Sequence, residues 1–202
     1  MKKVFVGIFS LLAFIQLNAQ KLTINAELLN LPEGTTVSLL DGMANKVLDS
    51  AKASAGKFTI GNKVENESIY VLSFSGLPVK IPVFVGNDQL TMKGDLSKAE
   101  AIEYKGSPSQ DLYLTYMKTL TPQIQSLFGD KSLAASPAGA NAKDSLAKQI
   151  QLKEAAFTES VTALLKANNQ SPVSTLFLIQ TTNFVPYIKE HIADLYLSLI
   201  HI

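Results

Sequence analysis

Cysteine is absent from all 202 residues. The chain therefore forms no disulfide, builds no thiolate metal site, has no Cys nucleophile and carries no lipid on an N-terminal Cys. That absence does not argue against an oxidising compartment. Tryptophan is absent too, and histidine is limited to His191 and His201. Charge of one sign is lacking: the formal net charge is +1 and no long run of like charges occurs. The electrostatic footprint of a nucleic-acid binder is therefore missing. There is no Gly-x-Ser-x-Gly elbow and no phosphate-loop glycine spacing; Gly34, Gly42 and Gly61 stand as isolated punctuation. After the N-terminus no apolar run reaches the roughly 20 residues of a spanning helix. What remains is an ordinary globular balance, 47% hydrophobic and 17% charged. It is enough for one substantial core or two modest ones.

The first segment addresses the protein. Lys2 and Lys3 form a short basic region, and residues 4–15 are apolar, broken only by Gly7 and Ser10. Leu17-Asn18-Ala19 ends on a small residue before Gln20. This is the pattern of a signal peptide over residues 1–19, and the apolar run is too short for a membrane anchor. The expected location is outside the cytoplasm, in a periplasm or cell envelope, with no membrane span after cleavage.

Residues 21–106 read as strands and turns. Leu22, Ile24, Ala26 and Leu28 alternate with Thr23, Asn25 and Glu27, the period of a half-buried strand. Further strands are expected at 37–40, 47–51, 57–60, 69–74, 79–85, 89–93 and 101–104. Between them lie turn residues such as Pro32-Glu33-Gly34, Ser54-Ala55-Gly56 and Gly86-Asn87-Asp88. Pro82 inside the sixth strand argues for an edge position or a bulge. Seven or eight short strands without intervening helices predict an antiparallel sandwich or barrel-like sheet rather than a parallel βαβ sheet.

Residues 107–196 read as helices. Ser107 suits an N-cap, Pro108 a first helical position, and Gln110 the third position of a capping box. Leu112, Tyr113, Tyr116, Leu120, Ile124, Leu127 and Phe128 follow at three- and four-residue steps, with Pro122 expected to kink or divide the helix. Residues 129–142 are small and polar and read as a flexible loop. Residues 144–167 form the clearest helix, with Leu146, Ile150, Phe157, Val161 and Leu164 on one face. Ser171-Pro172 starts another, and Pro186 a last one. The fold class expected is α+β: a β-sandwich first, a helical connector second.

Candidate chemistry is sparse. His191 stands beside Glu190 with no second ligand three or four residues away, which fits a solvated surface histidine better than a metal ligand or general base. Asp41, Asp49 and Asp95 lie at turns or strand ends, where turn hydrogen bonding is the expected use. No residue is assigned a catalytic, cofactor-binding or metal-binding role.

The order of short motifs does carry a resemblance. Asp49-Ser50-Ala51 precedes Gly56-Lys57-Phe58; Pro82-Val83-Phe84-Val85 runs into a Gly-Asn turn and residues 89–93; Gly106-Ser107 leads into a helix bearing Tyr113 and Tyr116. Residues 22–116 resemble the uncharacterised β domain at the N-terminus of exported thioredoxin-like proteins of the AhpC/TSA and TlpA type in Gram-negative bacteria. Residues 119–196 resemble the helical connector of such proteins, and Ser171-Pro172-Val173-Ser174 its Pro-x-Ser helix start. The resemblance implies thiol-disulfide chemistry in a C-terminal thioredoxin domain with a Cys-x-x-Cys pair. No residue here matches that pair. Residues 197–202, Leu-Ser-Leu-Ile-His-Ile, are similar to the translated end of a sequencing-library transposon and are expected to be a non-native tail.

Two functions follow as expectations. One is a non-catalytic accessory module, partnered by a thioredoxin-like domain outside this chain or by protein clients, and compatible with a homodimer. The other is a stand-alone exported protein that binds a peptide or glycan on its sheet face. An enzyme using Asp and His ranks third.

Overall fold

The computed structural model describes residues 21–181. The expected leader, the helix from Pro186, both histidines and the 197–202 tail lie outside them. Eight strands come first: β1 (Thr23–Leu29), β2 (Thr36–Asp41), β3 (Val47–Lys52), β4 (Lys57–Ile60), β5 (Ser68–Phe74), β6 (Lys80–Val85), β7 (Gln89–Asp95) and β8 (Glu103–Lys105). Three helices follow: α1 (Pro108–Ala135), α2 (Lys143–Ala167) and α3 (Pro172–Thr181). The class is α+β, strands first and helices second.

The strands make two four-stranded sheets, ordered β4-β1-β7-β8 and β3-β2-β5-β6. Alternation in sequence becomes alternation in burial. In β1, Ile24, Ala26 and Leu28 are buried while Asn25 and Glu27 face out. Residues of both sheets join one core, in which Phe58 of one sheet meets Phe74 of the other edge-on at 6.2 Å. Each such fully buried side chain contributes about 1.5–3 kcal/mol. All pairings are antiparallel except β1 with β7, which run parallel from Thr23↔Gln89 to Leu29↔Asp95. The whole second sheet lies between these two strands in the chain. No tight hairpin therefore forces them to oppose. Pro82 sits on β6, an edge strand, as its missing N–H requires.

One helical expectation is corrected, and of the two outcomes expected at Pro122 one is excluded. Residues 129–135 are not a loop: they continue α1, and residues 137–142 form a 3-10 turn. Lys131, Leu133, Ala134 and Ala135 are good helix formers, and one Gly costs only about 1 kcal/mol. Packing against α2 offsets that cost. Ion pairs Lys131–Glu154 at 2.7 Å and Lys153–Asp130 at 2.6 Å tie the two helices there. The helix is also not divided at Pro122. Its neighbour Gln123 donates both to the Thr119 carbonyl at 3.0 Å and to Ser160 Oγ on α2 at 3.1 Å, tying this turn to α2 next to the bond Pro122 cannot make. A second core forms from Tyr113, Tyr116, Leu120 and Leu127 of α1, Phe157, Val161 and Leu165 of α2, and Val173, Phe177 and Leu178 of α3. Phe84 of β6 belongs to this helical core.

Candidate functional site

The sandwich passes into the helices at Gly106-Ser107-Pro108. Gly106 has φ +97°, and a Cβ there would lie 2.1 Å from the Gln89 carbonyl oxygen, so only glycine fits. Ser107 is extended and caps α1: its Oγ accepts from the Gln110 N–H at 3.3 Å. The same hydroxyl donates to Asp88 Oδ2 at 2.6 Å, which also accepts the Gly86 N–H at 3.2 Å. The helix start is thus tied to the β6–β7 turn.

Gln110 does not close a capping box. Its Oε1 accepts the Phe84 N–H at 2.7 Å, and its side chain is fully buried. The reason is the sheet edge. Phe84 points its N–H away from β5, and no further strand is there to take it; the Gln110 amide replaces that strand. On the other face of the same residue, the Phe84 ring stacks on Tyr113 at 6.2 Å, Tyr113 meets Phe177 at 5.8 Å, and Tyr116 stacks on Phe177 at 4.5 Å. Ser174 Oγ donates to the Asn168 carbonyl at 2.7 Å, which leaves the Tyr116 hydroxyl to donate to Ser174 Oγ at 2.8 Å. Ser171 Oγ accepts from the Val173 N–H at 3.2 Å. The Ser-Pro-Val-Ser stretch therefore both starts α3 and pins it to α1.

Beside this junction a groove of about 530 Å³ opens between β6, the 3-10 stretch Leu96–Ala101, β8 and α1. Pro82, Ile102, Leu114 and Met117 give it apolar walls. Tyr104 and Tyr113 bring two phenols. Burial pushes the Tyr104 hydroxyl up to about 12, helped by Tyr113 nearby, and burial also raises Tyr113. Both stay neutral donors throughout the physiological range.

The residues singled out from sequence lie elsewhere. Asp41 Oδ1 accepts the Met43 and Ala44 N–H groups at 2.8 and 2.7 Å. Asp49 accepts the Ser50 and Gly61 N–H groups at 2.8 and 3.0 Å. Asp95 accepts from Asn30 Nδ2 at 2.8 Å and from the Ser97 N–H and hydroxyl at 2.9 and 2.7 Å, bonds that hold its carboxyl below the usual range. Each carboxylate is occupied by hydrogen bonds within the sandwich, and those of Asp49 and Asp95 reach beyond their own turns to Gly61 and Asn30. On the outer face of the β4-β1-β7-β8 sheet, Lys57 and Lys93 both pair with Glu27, at 3.5 and 3.6 Å, and Thr59 donates to Asn25 at 2.9 Å. Among the described residues no group of three or more acidic, His or Cys side chains is placed to hold a metal ion, and no helix is long and apolar enough to cross a membrane.

The sandwich and the first turns of α1 have counterparts elsewhere. Residues 22–113 match a domain of unknown function, DUF4369. The match ends at Tyr113, so the DUF4369 region includes the cap at Ser107, the edge-closing Gln110 and the first aromatic of the stack. No curated protein and no solved structure matches the chain. Sequence reasoning missed Gln110's partner and the groove. Only the polar glutamine among apolar stripe positions hinted at either.

Proposed function

We propose that this chain is the non-catalytic N-terminal part of an exported thioredoxin-like thiol-disulfide oxidoreductase, with the redox chemistry supplied by a domain outside this chain. The observation that carries this reading is the sharing of β6 between two cores. Ile81, Val83 and Val85 face the sandwich core, while Phe84 enters the helical core and gives its N–H to Gln110. The helical segment as far as Thr181 is thereby fixed against the sandwich, as suits an accessory module. The order of motifs over residues 22–116, the DUF4369 match and the absence of any thiol support the same reading.

The decisive experiment is to read the gene in frame past Tyr196. A Cys-x-x-Cys in a strand–helix context supports the proposal; a stop codon soon after that position overturns it. Activity gives a second check. The purified chain should not reduce insulin disulfides, having no thiolate to attack with, and thiol-dependent turnover by it would contradict the assignment.

A further inference from the structure

We propose that the groove between β6, β8 and α1 binds a small amphipathic anion, with an aromatic or acyl body between Pro82, Ile102, Leu114 and Met117 and an anionic group at Lys80 and Lys118. The inference concerns the groove alone and is independent of the accessory reading. Size is the first argument. A volume of about 530 Å³ falls within the roughly 300–1,000 Å³ of small-molecule sites, which combine apolar walls with a few polar groups. Leu114 and Met117 are 36% and 38% exposed, so apolar wall is left open to solvent where α1 faces β6.

The edge of β6 decides against a peptide strand. An added strand needs a row of free N–H and C=O groups. The Phe84 N–H points away from β5 and is taken by Gln110. By the strand's period of two, Pro82 and Lys80 share that direction. Pro82 has no N–H, which leaves only Lys80 to donate. The edge is closed to strand addition, and a compact ligand remains.

Charge selects the sign. Among the described residues, Lys80 and Lys118 line the groove against one carboxylate, that of Glu100. All 18 basic residues of the chain are lysine. An anion would therefore meet point charges rather than the planar fork of arginine, which suits a carboxylate or sulfonate held from one side. The neutral phenols of Tyr104 and Tyr113 line the same groove and add no charge of their own, whereas two ammonium groups repel a cationic guest.

The test uses the purified chain and two fluorescent probes of one shape, anionic 1-anilinonaphthalene-8-sulfonate and neutral N-phenyl-1-naphthylamine. Both should bind saturably at one site. Met117→Asp and, separately, Leu114→Asp should each weaken both probes by about tenfold or more, by placing a carboxylate in the apolar wall. The double change Lys80→Ala/Lys118→Ala should weaken the sulfonate by about threefold or more at low salt and leave the neutral probe unchanged. Both wall positions are on the surface, so either variant alone suffices if the other fails to fold. Absence of saturable binding, or binding untouched by the folded wall variants, overturns the site. A sulfonate affinity insensitive to the lysines overturns its anionic character.

Discussion

The two cores of this protein are built on different terms. The sandwich core is enclosed by its own two sheets; six strands bury side chains in it, while β3 and β8 add only partly buried ones such as Leu48 and Tyr104. Among the described residues, the helical core is enclosed by three helices on one side and takes Phe84, with Ile69 packed against it, from the sandwich on the other. The polar groups differ likewise. Around the sandwich, Asp41, Asp49 and Asp95 serve turns within the sandwich. At the junction, Gln110, Ser107 and Asp88 serve the attachment of one half to the other. The dependence therefore runs one way: the sandwich can keep its core without the helices, but the helices lose a wall without the sandwich.

The strongest challenge to that asymmetry is a pair of core truncations. Phe74→Ala in the sandwich and Phe157→Ala in the helices should each cost about 3–5 kcal/mol at their own site. Phe74→Ala should abolish both the helical circular dichroism signal and amide protection in β1 and β7. Phe157→Ala should melt the helices while that protection persists. Equal loss from both variants would show one cooperative unit and end the comparison. A smaller effect is expected at the junction. Gln110→Ala leaves the Phe84 N–H buried without an acceptor and should destabilise the helical transition by about 1–3 kcal/mol in urea. If only the sandwich transition moved, Gln110 would not be the coupling it is argued to be.

Glu67 gives a subtler probe. It lies close to Gly86, its Oε1 is buried without a hydrogen-bond partner, and burial together with Asp88 raises its carboxyl above the ordinary value. The folded state thus binds this proton more tightly than the unfolded chain does. Stability from it is fully present below the ordinary carboxylate range and is lost as pH rises through the raised value. Glu67→Gln removes the charge and should raise Tm by about 1–3 °C at pH 7. The gain should vanish near pH 4, and a gain that is the same at both pH values would place the effect elsewhere.

Much of this asymmetry was legible in the sequence, but unevenly. Strand positions such as Ile24, Ala26 and Leu28 could be read because burial follows a period of two along a few residues. The edge role of β6 followed from Pro82, and the start of α1 from Ser107 and Pro108, since all three are local chemistry. The parallel pairing of β1 with β7 could not be read, because nothing between them in the chain fixes their relative direction. The Gln110 partner lies 26 residues away on another element, so the local capping-box rule gave the wrong donor. Residues 129–135 looked like a loop because Gly129 weighs heavily in a single-chain reading, whereas the contacts with α2 that keep them helical are tertiary. The groove draws on four elements and has no signature in any one of them.

The smallest predicted effect lies at the far end of the α1–α2 pair, where the contrast between the halves is greatest. There Phe128, Leu133 and Leu152 are 53%, 44% and 72% exposed, and Gly139 and Leu146 supply most of the burial. With little apolar area removed from water, the crossed ion pairs Asp130–Lys153 and Lys131–Glu154 carry a larger share of the attachment than surface pairs usually do. Lys153 also donates to Ser126 Oγ at 2.7 Å. These side chains remain partly solvated, so Lys153→Ala should cost no more than about 1 kcal/mol, and less in high salt. The consequence should be local. Limited proteolysis of the unaltered chain should nick residues 128–152 before the sandwich, Lys153→Ala should speed that nick, and the rate of sandwich cleavage should stay the same. A first cut within the sandwich would reverse the proposed order of stability, because the thin tip would then be better protected than a core enclosed on both faces.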